Sequence, residues 1–263
     1  MKHICSIFLL VACLVSTSRA QTVVASSLND LILGFRATDG TQGAGTDKNL
    51  EIDLGNVGQF YNLPTNTTMA VANLRTDLET IYDLVWNART DLTWGIIGTT
   101  GNATGTTING TTIAATTIWA GKGETTAGVQ STPLTRANVS AQRGPANTIA
   151  TIYSGAAGSL TGMTSTANNP HAVAVDNSLT GSWTKQEGAS VAFGFFNRTQ
   201  FERGTNFTSI LGSFAVIDLY ELQPIGGAAA YLGSFGLNSA GLLQFSNSTA
   251  ELEQTGAVEA ERA

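Results

Sequence analysis

Few side chains in this chain could carry out catalysis. Its two histidines are His3 and His171. Only His171, in Asn168-Asn169-Pro170-His171, lies beyond the N-terminal stretch. A nucleophile–base pair working near neutral pH usually relies on such an imidazole. No Gly-x-Ser-x-Gly elbow accompanies it, and a polar loop after proline suits an ordinary surface histidine. Ser182-Trp183-Thr184-Lys185 fits the Ser-x-x-Lys pattern of penicillin-recognising enzymes, but their Ser-Asp-Asn and Lys-Thr-Gly partners are missing. Glu51 and Asp53 alternate with Leu50, Ile52 and Leu54, which puts both carboxylates on one strand face. With Asp218 and Glu221 they are the candidates for the carboxylate pair of a glycoside hydrolase, roughly 5–10 Å apart. The same alternation also describes the solvated face of an amphipathic strand.

Binding chemistry has more to draw on. Trp119, Trp183 and Tyr153, beside Asn- and Thr-rich loops, could offer ring faces on which a sugar stacks while amides and hydroxyls bond its hydroxyl groups. Large aromatics also fill β cores, so packing is the competing reading. Zinc is disfavoured by the scarcity of histidine and cysteine. Calcium needs only oxygen ligands, and Asp39 and Asp47 flank a Gly-rich loop that could hold one, though the spacing fits no EF-hand. No other cofactor is implied.

Both cysteines, Cys5 and Cys13, fall in the first twenty residues. There Lys2 precedes an apolar run from Ile4 to Val15, and Ser18-Arg19-Ala20 places small residues where a signal peptide is cleaved. The expectation is an export signal at 1–20 and a mature chain from Gln21 without cysteine. An alternative is a lipid anchor on Cys13, in Leu10-Val11-Ala12-Cys13. The whole chain has formal net charge −6 and only 12 % charged residues, against about 25 % in ordinary globular domains. An acidic, charge-poor chain disfavours nucleic acid and anionic membrane as partners. No later apolar run reaches the roughly 18 residues of a membrane-spanning helix.

The elements that would position these groups are mostly strands. Leu31–Phe35 and Leu50–Leu54 read as a first hairpin, and Leu92–Ile97, Thr116–Ala120, Val191–Phe196, Ala215–Tyr220, Tyr231–Phe235 and Leu242–Phe245 as further strands. Gly226-Gly227 and Asn238–Gly241 supply turns. Val71, Leu74, Leu78, Ile81, Tyr82 and Val85 recur at three- and four-residue spacing, which predicts one amphipathic helix near 69–86. Thr99–Thr117, Pro133–Pro145 and Gly155–Pro170 read as loops. The pattern predicts a mainly β chain: a two-sheet antiparallel sandwich, jelly-roll-like, with one packed helix. The expectation is a single domain at 21–248 followed by an acidic, disordered tail at 249–263.

Four stretches in this order and spacing carry a resemblance. They are Asp30-Leu-Ile-Leu-Gly-Phe-Arg-Ala-Thr38, Asn49-Leu-Glu-Ile-Asp-Leu-Gly55, Asp91-Leu-Thr-Trp-Gly-Ile-Ile-Gly98, and Asp218-Leu-Tyr-Glu-Leu222 followed by Tyr231-Leu-Gly-Ser-Phe-Gly-Leu237. The chain resembles uncharacterised secreted proteins of Verrucomicrobia and related bacteria of the PEP-CTERM-associated type. The resemblance implies export into a bacterial envelope or matrix but transfers no functional residue. The Pro-Glu-Pro sorting tail common in that group does not follow Phe245. The expected function is a secreted, non-enzymatic structural or adhesive protein that self-associates through edge strands. The alternatives are a carbohydrate-binding module acting on extracellular polysaccharide and an unrecognised polysaccharide-acting enzyme.

Overall fold

The computed structural model describes residues 21–38, 43–64, 67–187, 191–192, 196–209, 214–248 and 252. The expected export segment, Asp39 and all of the acidic tail but Leu252 lie outside them. In chain order the strands are β1 (Asp30–Ala37), β2 (Lys48–Asn56), β3 (Thr68–Asn73), β4 (Leu92–Thr99), β5 (Thr106–Ile108), β6 (Thr111–Ile113), β7 (Ile118–Gly123) and β8 (Thr135–Asn138). There follow β9 (Ala172–Asp176), β10 (Val191–Ala192), β11 (Phe196–Asn197), β12 (Arg203–Gly204), β13 (Phe214–Leu222), β14 (Ile225–Ala228), β15 (Ala230–Asn238) and β16 (Leu242–Ser246). The helices are α1 (Arg75–Tyr82), α2 (Val139–Ala150), α3 (Trp183–Glu187) and α4 (Arg198–Phe201).

One antiparallel sheet dominates. Its strands follow the path β3-β16-β15-β13-β7-β4-β1-β2-β9, with β12 joining β4 beside β7. The two separate main sheets expected of a sandwich are therefore not what the hydrogen bonding gives. Nine strands form one continuous ladder, curled so that side chains from distant strands meet. Phe60 lies edge-on to Phe235 and Phe245, at 4.9 and 5.0 Å between ring centroids, in the same core cluster as Phe35, Trp94 and Trp119.

Alternation explains both faces. In β1, Leu31, Leu33 and Phe35 enter this inner core, while Ile32 joins a second core on the outer face under α2 and α3. In β13, Ala215, Ile217 and Leu219 point inward and Tyr220 and Leu222 outward. All nine residues of β13 are buried, as befits a central strand covered on both sides. Leu252 also packs on this strand, against Phe214 and Val216.

The expected helix is shorter than its periodicity implied. Residues 68–73 form β3, paired with β16 at the sheet edge. Met69 and Val71, two apart, pack on the inner core, whereas Leu74, Leu78 and Tyr82 take over at helical spacing. A second helix, α2, begins in sequence expected to be loop. Asn138 caps it by accepting from the Ala141 N–H, and Gln142, Pro145, Ala146 and Ile149 form its buried face. Pro145 inside the helix forfeits one i→i−4 bond. The expected loop at Thr99–Thr117 contains the β5–β6 hairpin, turned by Asn109-Gly110 with φ of 48° and 81°, the left-handed pair a two-residue turn requires. Among the described residues, no helix is long and apolar enough to cross a membrane.

Candidate functional site

The two edges of the curled sheet are β3 and β9, and they do not pair with each other. A cleft of about 1190 Å³ opens along this seam. One wall is the end of β3 and the first turn of α1: Val71, Ala72, Asn73 and Thr76. The other is the end of β2 with the segment entering β9: Asp53 to Asn56, Gln59, and Ala167 to His171. β9 pairs with β2 as far as Ile52↔Ala172, and Asp53 N–H adds one more bond to the His171 carbonyl at 2.9 Å. Beyond that point the edge of β2 is open.

Local polar contacts fix the lining. The segment before β9 folds on itself: Thr166 N–H donates to the Ala172 carbonyl (2.7 Å), and Asn169 Oδ1 accepts from His171 N–H (2.9 Å). It then bridges the seam, because Thr166 and Asn168 bond the Asp77 carboxylate of α1. Burial lifts the Asp77 carboxyl above the ordinary value, and these two bonds pull it back down. Asn56 Oδ1 accepts from Gly58 N–H at 2.9 Å, and Asn73 Oδ1 from Arg75 N–H at 3.2 Å. Asp53 Oδ1 accepts from Gly55 N–H at 2.7 Å. The Asp53 carboxyl is pushed up to about 6, chiefly by burial and further by Asp30, against the Gly55 bond and His171.

The aromatics expected to stack on sugar lie elsewhere, and none offers an open ring face. Trp119 is fully buried, with its indole N–H on Tyr61 Oη at 2.8 Å. Trp183 is fully buried on the outer face, stacked on Phe201 at 5.8 Å. It lies over Gly34 and Gly95, which face each other across β1 and β4. A Cβ on Gly34 would sit 2.0 Å from its ring. Tyr153 is 7 % exposed and donates to the Asp30 carbonyl at 2.7 Å. Trp86 and Trp94 are core residues as well. These rings are buried because large curled sheets need filling on both faces.

The acidic candidates are bound into the structure. Glu51 and Asp53 do share a strand face, but Glu51 is fully buried beneath Trp183, whose backbone N–H it accepts at 2.6 Å. Beside it Arg36 forms a two-point bond with Glu202 (2.8 and 2.5 Å) and reaches Glu187 at 3.3 Å. Asp218 accepts from Ser131 N–H and Ser234 Oγ, both at 2.5 Å, and Glu221 from Tyr61 and Gln223. Ser182 Oγ donates to the Asn177 carbonyl, 3.1 Å away. Asp47 meets the Lys48 ammonium at 3.3 Å, a neighbour that competes with a cation. Among the described residues no three His, Cys, Asp or Glu side chains gather as a metal site. The composition of the seam was legible only as the polar string Asn168-Asn169-Pro170-His171. That Asn56 and Asn73 face it depends on how the sheet curls.

The class defined by this geometry is a mainly β protein built on one curled antiparallel sheet with a polar seam. Comparison with known proteins gives no matching family model, no matching curated protein and no matching solved structure.

Proposed function

We propose that this protein is a secreted, non-enzymatic structural or adhesive component of a bacterial envelope or extracellular matrix, its curled sheet serving as a jelly-roll-like shell. The observation that carries this reading is the use made of its reactive groups. Glu51, Glu187, Glu202, Asp218 and Glu221 are spent on buried hydrogen bonds and ion pairs that hold strands, loops and short helices together. Such groups set packing and are poorly placed to meet a substrate. The export signal and the resemblance to secreted PEP-CTERM-associated proteins support the location. The edge strand β3, Thr-Met-Ala-Val-Ala-Asn, carries neither charge nor proline, the devices that usually block edge pairing. This supports self-association as the means of assembly.

The test is fractionation of the producing cells. The protein is expected in the washed matrix or envelope fraction, with oligomers in sedimentation at micromolar concentration. Recovery as a free monomer in the medium, or turnover of a polysaccharide by the purified chain, would overturn the reading.

A further inference from the structure

The seam cleft has the chemistry of a binding site. Asn56, Asn73 and Asn169 come from three separate segments and line one cleft. In each, Oδ1 is held by a backbone N–H: Gly58 for Asn56, Arg75 for Asn73 and His171 for Asn169. An amide pinned through its oxygen presents its Nδ2 with two donor hydrogens. None of the three Nδ2 atoms has a protein partner among the described residues. Asp53 repeats the arrangement with opposite polarity. Gly55 holds Oδ1, and Oδ2 has no protein partner among the described residues. The cleft thus gathers three amide donors and one acceptor, with the half-buried Val71 and Ala72 among the apolar residues of its lining.

The ligand class follows from this set. A sugar hydroxyl donates and accepts at once, so neighbouring hydroxyls match adjacent amide donors and a carboxylate acceptor, while the ring C–H face rests on apolar side chains. Among the described residues no Lys or Arg lines the cleft, and Asp53 is there, which disfavours phosphates and uronates. We propose that the seam cleft binds a segment of neutral glycan, with Asn56, Asn73 and Asn169 donating to its hydroxyls and Asp53 accepting from them. The inference rests on the adhesive reading and supplies its molecular contact.

The test uses the purified protein on an array of neutral oligosaccharides, their uronic-acid counterparts and unrelated extended peptides. The variant is N56D/N73D/N169D. Each Asp keeps the oxygen that accepts the backbone N–H and removes the donor, so circular dichroism and the unfolding midpoint should match the parent. Asn102→Asp, outside the cleft, controls for added charge, and Asn169→Asp alone is read if the triple variant unfolds. Retention of neutral oligosaccharides, lowered at least tenfold by the triple variant and unchanged by Asn102→Asp, supports the proposal. Retention of peptides alone, of uronates in preference, or of no glycan overturns it, as does glycan binding indifferent to the Asn variants. Fractionation separates the two failures. A matrix-bound protein that retains no glycan loses this inference and keeps the adhesive function; a free monomer that binds glycan loses the adhesive function first.

Discussion

Replacing Glu51 by Gln should make the protein more stable, by an amount that grows as the pH rises from about 4.5 to about 8. Glu51 is fully buried on β2, with Oε1 on the Trp183 N–H at 2.6 Å and no partner for Oε2 among the described residues. Burial, only partly offset by that one bond, raises its carboxyl from 4.5 to about 8. The folded protein therefore keeps this proton at neutral pH, whereas the unfolded chain releases it above about 4.5. Between these values the folded state holds one more proton than the unfolded one, so stability falls as pH rises. The contribution is fully present below pH 4.5, declines through pH 8 and is then flat. At about 1.4 kcal/mol per pKa unit the whole decline is about 5 kcal/mol, comparable with the total stability of many domains. Gln mimics the neutral acid and does not titrate. Urea unfolding of parent and variant at pH 4, 6 and 9 reads the difference, in which the other titrating groups cancel. The curves should coincide at pH 4 and diverge by several kcal/mol at pH 9, with the variant higher. Parallel pH profiles, or a variant weaker throughout, would refute the reasoning and place a charged Glu51 in the folded protein.

Gly34→Ala would push a methyl group to 2.0 Å from the Trp183 ring. It should cost about 2–3 kcal/mol in urea unfolding and change tryptophan fluorescence. Gln142 Nε2 donates to the Thr116 and Leu222 carbonyls at 2.9 and 2.8 Å and so ties α2 to the sheet. Gln142→Leu removes both of these bonds and the one its Oε1 accepts from the Ala137 N–H at 2.9 Å, at a cost of about 3 kcal/mol, and hydrogen exchange should report loosened protection across α2. Arg89 pairs with Asp91 at 2.6 Å, with both side chains buried. Arg89→Leu strands the Asp91 charge and should cost about 3–5 kcal/mol, read as a lower urea-unfolding midpoint.

Sequence period located the strands that alternate on a core. β1, β2, β4, β13, β15 and β16 all fall where apolar runs or alternation put them. What local pattern cannot carry is pairing between distant segments. The Thr68–Asn73 stretch precedes a genuine helical repeat, and only its partner β16 makes it a strand. α2 was hidden by Pro133 and Pro145, although Asn138 and the spacing of Gln142, Ala146 and Ile149 mark a capped amphipathic turn. Asn109-Gly110 is a hairpin signal within a Thr-rich stretch that otherwise reads as low complexity. Trp183 is buried because Gly34 and Gly95 meet across two strands far apart in sequence, and neither glycine announces this alone. The seam is the least legible feature of all. It exists because β3 and β9 end the sheet without pairing, a property of the whole strand path and of no single motif.

The most direct measurement is a ¹⁵N–¹H spectrum of the protein titrated with a neutral oligosaccharide, because side-chain amides and tryptophan indoles are both visible there. A glycan seated in the seam should give saturable shifts at the Nδ2 resonances of Asn56, Asn73 and Asn169, with the indole signals of Trp119 and Trp183 unmoved. Shifts centred on those two indoles, or none anywhere, would contradict it.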